Sequence, residues 1–465
     1  MRVDTGTPPI SARVLKAKLQ STPFEPESLR RPWHGSVAWW LVIAAFAVRI
    51  GLMAGLHTYR SERDDDHSYS NEITRVAESI ATGHGFASPF SKRPTGPTAW
   101  VAPVYPYFVA AVFRTFGIGT PASYAAIQGA QSLFSALTVL PLVGILSLCG
   151  SRRGGLAAGA IWAFFPWFIR PALTWVWDTS LSALLAATLI WMAISLTERG
   201  SRRMWMAFGA LWGATLLTNP ALIPFLPVTV GYAIYHEARS GGRWMRSTIM
   251  TLGVCLLVVS PWLIRNRVAI GEWTSVRDNF GFEFALGNYH LSFGRGWAGK
   301  HPAANTRELD LYRTMGEAAY IQENRDHALE FVRQYPGEFL TLCAKRTLHF
   351  WDGSAMLYRA PFAPYWLPWS FGLVSFLTFI ALAACHQLQL RCWWLLLGTV
   401  ALYPVPNYLT YSPVLARHAL EPVMVLLIAY AAVEGNARLI SDSEAVETEI
   451  LLDAKPKTQA AAAGK

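Results

Sequence analysis

A chain of 465 residues with 52% hydrophobic side chains and 20 tryptophans, and a mean hydropathy of +0.26, is too apolar for a soluble enzyme and reads as a multi-span membrane protein with a modest soluble portion. The formal charge of +10 gathers at the ends of apolar spans instead of forming one stripe, which excludes a nucleic-acid-binding reading. The five cysteines, at 149, 255, 343, 385 and 392, show no motif spacing, so neither a disulfide framework nor a zinc site is expected.

Residues 1–35 are polar and carry Pro8, Pro9, Pro23 and Pro26. They lack the apolar centre of a cleavable signal and read as a disordered cytoplasmic tail. The first span, 37–57, follows Arg30 and Arg31, so its start is placed in the cytoplasm and the next loop outside. Arg49 lies within that span and needs a partner or a water-filled face. The outer loop, 58–122, holds the densest acidic cluster. In it Ile73, Val76, Ala77, Ile80 and Ala81 fall at helical spacing, which predicts an amphipathic helix over 71–82 stopped by Gly83 and lying on the membrane surface. Glu72 then sits roughly 90° from the middle of the apolar stripe, at the water–lipid boundary, with Arg75 and Glu78 pointing away. Spacing alone leaves two readings of Glu72 open, a solvated helix cap or a reactive carboxylate. Asp64, Asp65 and Asp66 suggest a divalent-cation site, but hard cations need several converging oxygens and no further ligand follows; metal is the weaker reading, and no cofactor is expected. Pro103, Pro106 and Arg114 make 101–117 a poor span and predict a second surface helix.

Further spans read at 123–149, 154–171, 179–197, 205–219, 221–236 and 247–264. Arg152 with Arg153, then Arg199, Arg202 and Arg203, then Arg239, Arg243 and Arg246 mark basic turns assigned to the cytoplasm. Asp178 opens a span at the outer face, where capping is the simplest role and substrate contact the second. Asn219 and Pro220 mark a break between spans. Hydropathy falls over 266–365, where 306–334 and 337–350 have helical periodicity around Tyr335, Pro336 and Gly337, predicting a small helical extracytoplasmic domain. His301 in its first part is a solvated loop residue or a substrate contact. Spans at 366–385, 392–410 and 414–434 complete an all-α polytopic chain of about ten crossings. The divisions are thus the tail 1–35, a membrane core 36–265, the outer domain 266–365, C-terminal spans 366–435, and a second disordered cytoplasmic tail, 436–465, acidic and then Ala-rich. Trp100, Trp175, Trp177, Trp351 and Trp366 fit an interfacial aromatic belt.

The stretches EITRVAESIATGHGF, TGPTAW, APVYPYFVAAVFRTFG, VWDTSLSALL, TNPALIPFLP, SPWLIRN and ARHALEP, in that order, resemble the GT-C membrane glycosyltransferases. The similarity runs from about 37 to 434 and is nearest the branch containing protein O-mannosyltransferases and lipid A aminoarabinose transferases, in its bacterial members. The resemblance implies a GT-C fold, a sugar donor carried on a polyprenyl phosphate, and an acidic residue of the first outer loop acting on the acceptor. Glu72 and then Asp66 are the candidates, because Tyr69 stands where the pattern begins with Asp. The ARHALEP stretch resembles a family motif with a first basic residue where this chain has Ala416.

On this resemblance a lipid-linked sugar keeps its phosphate at the outer surface. Arg417, Arg265 and Arg170 at span ends are the candidate phosphate ligands, with Lys345 and Arg346 a looser second contact. An interfacial snorkelling residue is the simpler reading of Arg265, whereas Arg417, next to His418 and Glu421, is costly to bury without a purpose. His418, Tyr105, Trp100, Asp178 and His301 are candidate pocket residues. The implied reaction is inverting transfer of a hexosyl or pentosyl unit to an extracytoplasmic glycan, lipid or protein, at a bacterial inner membrane. A transporter or flippase for lipid-linked sugars or small solutes is the alternative, against which stands the gathering of charge in the outer loop and at span ends. A noncatalytic envelope scaffold is the third reading.

The topology has a direct check. With 101–117 on the outer leaflet, cysteines introduced at Lys92 and Thr120 both react with an impermeant thiol reagent added from outside; protection of Thr120 alone would overturn the arrangement.

Overall fold

The computed structural model describes residues 36–60, 71–90, 94–290, 292, 298–353, 366–411 and 413–453. These are helical apart from turns and loops, with one isolated bridge between Ala87 and Pro97. The membrane part begins with α1 (Ser36–Leu56). The outer loop forms α2 (Asn71–Ala81) and α3 (Val104–Phe116). Then follow α4 (Pro121–Leu137), α5 (Val139–Leu148), α6 (Arg152–Phe164), α7 (Pro166–Thr174), α8 (Thr179–Arg199), α9 (Arg202–Thr218), α10 (Phe225–Arg239) and α11 (Trp244–Ile270). The outer domain contains α12 (Phe280–Gly287), α13 (Thr306–Met315), α14 (Glu317–Gln334) and α15 (Pro336–Asp352). The chain ends with α16 (Trp366–Gln387), α17 (Trp393–Leu402), the short α18 (Val405–Leu409) and α19 (Glu421–Asp453).

Helix ends follow local chemistry. Thr120, Ser151 and Ser201 each accept a hydrogen bond from a first-turn N–H, of Ser123, Gly154 and Met204. Gly271, at φ +90°, closes α11 in the left-handed conformation. Small residues set one close contact: a Cβ on Gly213 of α9 would lie 2.6 Å from Val258 Cβ of α11, so glycine lets these two helices approach closely.

By length and composition six helical segments are able to cross a bilayer: Val37–Leu56, Pro121–Leu148, Thr179–Glu198, Trp244–Ile270, Trp369–Gln387 and Glu421–Glu447. A seventh is added if α6 and α7, bent by 48°, count as one span. The count of about ten is therefore not reproduced among the described residues, because α9, α10 and α17 have 17, 15 and 10 residues, short of the ~20 a straight span needs. The 154–171 span is broken at Phe165, and 392–410 at Tyr403 and Pro404. The predicted 306–334 helix is divided by Gly316 at φ +82°. The tail expected from 436 is helical to Asp453, as its run of residues without Gly or Pro allows after Gly435; residues 1–35 and 454–465 lie outside the described residues.

Two hydrophobic cores organise the chain. One runs through the spans and includes Trp162, Trp167, Phe168, Trp205 and Trp212. The other joins the outer loop to the outer domain, with Ile73, Val76, Trp100, Phe282, Tyr312 and Tyr320 in a single cluster. The apolar stripe of α2 therefore packs against protein, which corrects the expectation of a helix lying against lipid.

Arg49 finds its partner within the bundle. Its guanidinium donates to the carbonyls of Ala45 and Ala163 at 3.0 Å and of Trp162 at 3.1 Å, and to Ser135 Oγ at 3.1 Å. Trp162 and Ala163 end α6 at the bend, where helix carbonyls lose their own donors and a cation is favourable. Arg49→Met is expected to cost about 1 to 3 kcal/mol for each carbonyl left without a donor, read as a lower melting temperature in detergent. A variant melting with the wild type would show that the bend does not depend on this side chain.

Candidate active site

The site is built on residues 86–100. Here Ser88 N–H donates to Gly96 O at 3.1 Å and Thr98 N–H to Phe86 O at 3.2 Å, with Gly96 at φ +85°. The tripeptide Thr98–Ala99–Trp100 that follows has its polar backbone met by later parts of the chain. Arg265 donates to Thr98 O at 2.6 Å and to Phe86 O at 2.7 Å. Asp278 N–H donates to Ala99 O at 2.9 Å, and Arg277 Nε to Trp100 O at 3.2 Å. Glu317 completes the arrangement. Its Oε1 accepts from Ala99 N–H at 2.6 Å, and its Oε2 from Tyr312 Oη at 2.6 Å and from the Thr98 hydroxyl.

Held in this way, Trp100 points its indole N–H at Glu72. Glu72 Oε1 accepts from Trp100 Nε1 at 2.9 Å and lies 3.0 Å from His301 Nε2. Ala303 N–H donates to His301 Nδ1 at 3.2 Å, so this ring nitrogen is an acceptor, and Nε2 meets Glu72 at ion-pair distance. The His301 ring is edge-on to Phe90, Trp100 and Phe282. Glu72 is 5% exposed, and no described residue hydrogen-bonds to its Oε2. Its expected position at the water–lipid boundary is thus corrected: the carboxylate is inside the outer core, because Trp100 and His301 close over it. Arg75, expected to face away, is also buried and pairs with Glu78 at 3.2 Å.

Beside α2 is a small cleft with a free volume of about 10 Å³, about the room one water needs. Ile73, Tyr105, Trp177, Asp178, Asn219 and Arg277 are among its lining residues. Tyr105 donates to Gln131, whose amide in turn donates to the carbonyls of Ala172 at 2.9 Å and Trp175 at 2.8 Å. The end of α7 is thereby tied to the cleft wall. Asp178 Oδ2 accepts from Ser182 Oγ at 2.6 Å; burial raises its carboxyl above the ordinary range, while Ser182 and Arg277 pull it back. Asp178 does not cap α8 through its side chain.

The candidate pocket residues therefore divide. Trp100 and His301 meet at Glu72, Tyr105 and Asp178 meet in the cleft, and His418 lies elsewhere. His418 Nδ1 is 2.7 Å from Glu421 Oε2, its ring stacks on Trp162, and its Nε2 is buried without a partner among the described residues.

The candidate phosphate ligands divide as well. Arg417, fully buried, gives Nε to Glu421 at 3.1 Å and one terminal nitrogen to Phe371 O at 3.0 Å and Ser375 Oγ at 2.6 Å. Its other terminal nitrogen lies 3.1 Å from Glu421 Oε1, an ion-pair distance without hydrogen-bond geometry. Arg346 is spent on Leu342 O, Thr410 O and Asn288, and Arg265 on the outer loop. Lys345 is exposed. Arg170 is half-buried, and no described residue offers its guanidinium a hydrogen bond or an ion pair. Asp66, with Asp64 and Asp65, lies outside the described residues. Among the described residues no group of three or more His, Cys, Asp or Glu is placed to hold a metal ion.

Residues 99–264 match the dolichyl-phosphate-mannose-protein mannosyltransferase family. This match supports the resemblance to GT-C membrane glycosyltransferases and begins within the clamped tripeptide; Glu72, His301 and Arg417 fall outside it. No curated protein matches the chain by sequence. Among solved structures, the archaeal oligosaccharyltransferase AglB from Archaeoglobus fulgidus, in complex with an inhibitory peptide and a dolichol-phosphate, is similar at 14% identity and a TM-score of 0.48, over 89% of this chain and 52% of that one. ArnT from Cupriavidus metallidurans bound to undecaprenyl phosphate is similar at 15% identity and a TM-score of 0.39, over 87% of this chain and 79% of that one. Both likenesses are distant, and the chain spans about half the length of the oligosaccharyltransferase it matches.

Sequence reading missed Arg277, Asp278 and Glu317, whose only signal was Glu317 directly after a helix-breaking glycine. Burial, with Glu317 and Glu272 adding repulsion, lifts the Asp278 carboxyl to about 7. A carboxyl raised in the folded state gives stability that is complete below its ordinary range and lost as pH rises through about 7. Asp278→Asn is expected to flatten the fall in melting temperature between pH 4 and pH 7.5 and to melt higher than wild type at pH 7.5. An unchanged slope would rule out Asp278 as its source.

Proposed function

We propose that this protein is an inverting glycosyltransferase that moves a hexosyl or pentosyl unit from a polyprenyl-phosphate donor to an extracytoplasmic glycan, lipid or protein, at a bacterial inner membrane. One observation carries the reading. Glu72 has one oxygen that accepts from Trp100 and lies at ion-pair distance from His301, and no described residue hydrogen-bonds to the other, which is the arrangement a general base needs. In the proposed step Glu72 Oε2 takes the proton of the acceptor hydroxyl, the acceptor oxygen bonds to the anomeric carbon, and the bond from that carbon to the phosphate oxygen breaks. A single displacement inverts the anomeric centre. Among the four candidate arginines Arg170 is the one whose guanidinium no described residue offers a hydrogen bond or an ion pair, so it is assigned to the departing lipid phosphate, for which a planar guanidinium is suited. Arg417 would serve there only by leaving Glu421, and its role in this reading is to hold the start of α19. The family match over 99–264, which includes Tyr105 and Asp178 of the cleft, supports a transferase.

In reconstituted membranes with a polyprenyl-phosphate sugar, Glu72→Gln is expected to lose ~100 to 10,000-fold in transfer while still binding donor lipid. Asp66→Asn is expected to lose less. Full activity of Glu72→Gln alongside an inactive Asp66→Asn would keep the transferase and move the base to Asp66.

A further inference from the structure

Away from this site, at the opposite end of the bundle, two cysteines far apart in sequence meet. Cys149 follows α5 and is half-buried; Cys392 precedes α17 and is fully buried. Their Sγ atoms are 3.0 Å apart, within ~1 Å of a disulfide bond length. The neighbours fix the place. Cys149 lies two residues before Ser151, which caps α6 and donates to Glu434 of α19, and Arg391, beside Cys392, pairs with Glu198 at the end of α8. The rim that carries the basic turns at 152–153 and 199–203 therefore carries the two thiols, and the positive-inside rule assigns it to the cytoplasm.

We propose that Cys149 and Cys392 are a reversible dithiol–disulfide modification site, oxidised by a low-molecular-weight disulfide. The step balances within those reactants. Cys149 Sγ, as thiolate, attacks one sulfur of the small disulfide, forming a mixed disulfide and releasing one small thiolate. Cys392 Sγ then attacks Cys149 Sγ and releases the second. The two protons lost by the cysteines pass to the two released thiolates, and the two electrons lost by the cysteines reduce the small disulfide. The order follows from access, since Cys149 is the partly exposed member. The hydrogen bond from Cys392 also lowers the Cys149 thiol, whereas that same bond and burial raise Cys392. In a reducing cytoplasm such a bond is transient and redox-sensing in character. The bond joins the end of α5 to the start of α17, so it ties the first half of the chain to the segment leading to Arg417. The inference does not rest on the transferase reading.

The test uses the full chain in detergent, incubated with oxidised glutathione, alkylated, and mapped by peptide mass spectrometry before and after dithiothreitol. The expected result is a Cys149–Cys392 cross-link that dithiothreitol reverses, with a higher melting temperature for the oxidised wild type and no such rise for Cys149→Ser. In Cys149→Ser, Cys392 stays a free thiol. Both cysteines remaining alkylatable after oxidation, a reaction that stops at Cys149 bound to glutathione, or a cross-link from Cys392 to Cys385 would each overturn the proposal. Capture of Cys392 by glutathione in Cys149→Ser would overturn Cys149 as the attacking thiol.

Discussion

The outer half of this structure depends on one buried carboxylate. Glu317 accepts from Thr98, Ala99 and Tyr312 at once, and a carboxyl group this buried is tolerable only with such donors. Its place in the first turn of α14, directly after Gly316, adds the favourable end of a helix dipole. Thr98 serves twice, donating to Glu317 and accepting from Trp100 N–H at 2.9 Å. The orientation of Trp100, and through it that of Glu72, follows from this junction and not from anything within α2.

Much of the architecture was legible in the sequence, because apolar length and basic turns are local signals. The helices at 71–81 and 104–116, the all-α class and the helical outer domain followed from periodicity. Arg49 announced itself by its cost. Glu72, Trp100 and His301 were each noticed, but no spacing rule brings residue 301 to residue 72. The misreading of α2 has a plain cause: an apolar stripe shows that a helix face avoids water, and burial against protein satisfies that as well as lipid does. Arg265 misled in a similar way. A cation at a span end looks alike whether it snorkels, binds phosphate or, as here, holds two backbone carbonyls.

The buried arginines show how such charges are accommodated. Arg49 is met by carbonyls released at a helix bend, and Arg417 by Glu421 at the start of α19. Both charges are met within the bundle, Arg417 with one terminal nitrogen at ion-pair distance only, and a buried charge left without such partners is strongly disfavoured. Arg170 differs because no described residue offers its guanidinium a hydrogen bond or an ion pair, and an unspent cation has more to offer an anion than a fully paired one. Motif resemblance named Arg417 first; the reading proposed above gives the phosphate to Arg170.

The clamp also orders events in time. The side chains and backbone groups that meet Thr98, Ala99 and Trp100 from later in the chain belong to Arg265, Arg277, Asp278, Tyr312 and Glu317. At ribosomal speeds of about 5 to 20 residues per second, the outer loop leaves the ribosome on the order of ten seconds or more before its last partners exist. During that interval α2 has an uncovered apolar face and the Thr98–Trp100 backbone has unmet polar groups. Glu72, Trp100 and His301 therefore come together only at a late step of biogenesis, so any factor that shields the nascent outer loop acts on the assembly of this site before the protein has its own means of closing it.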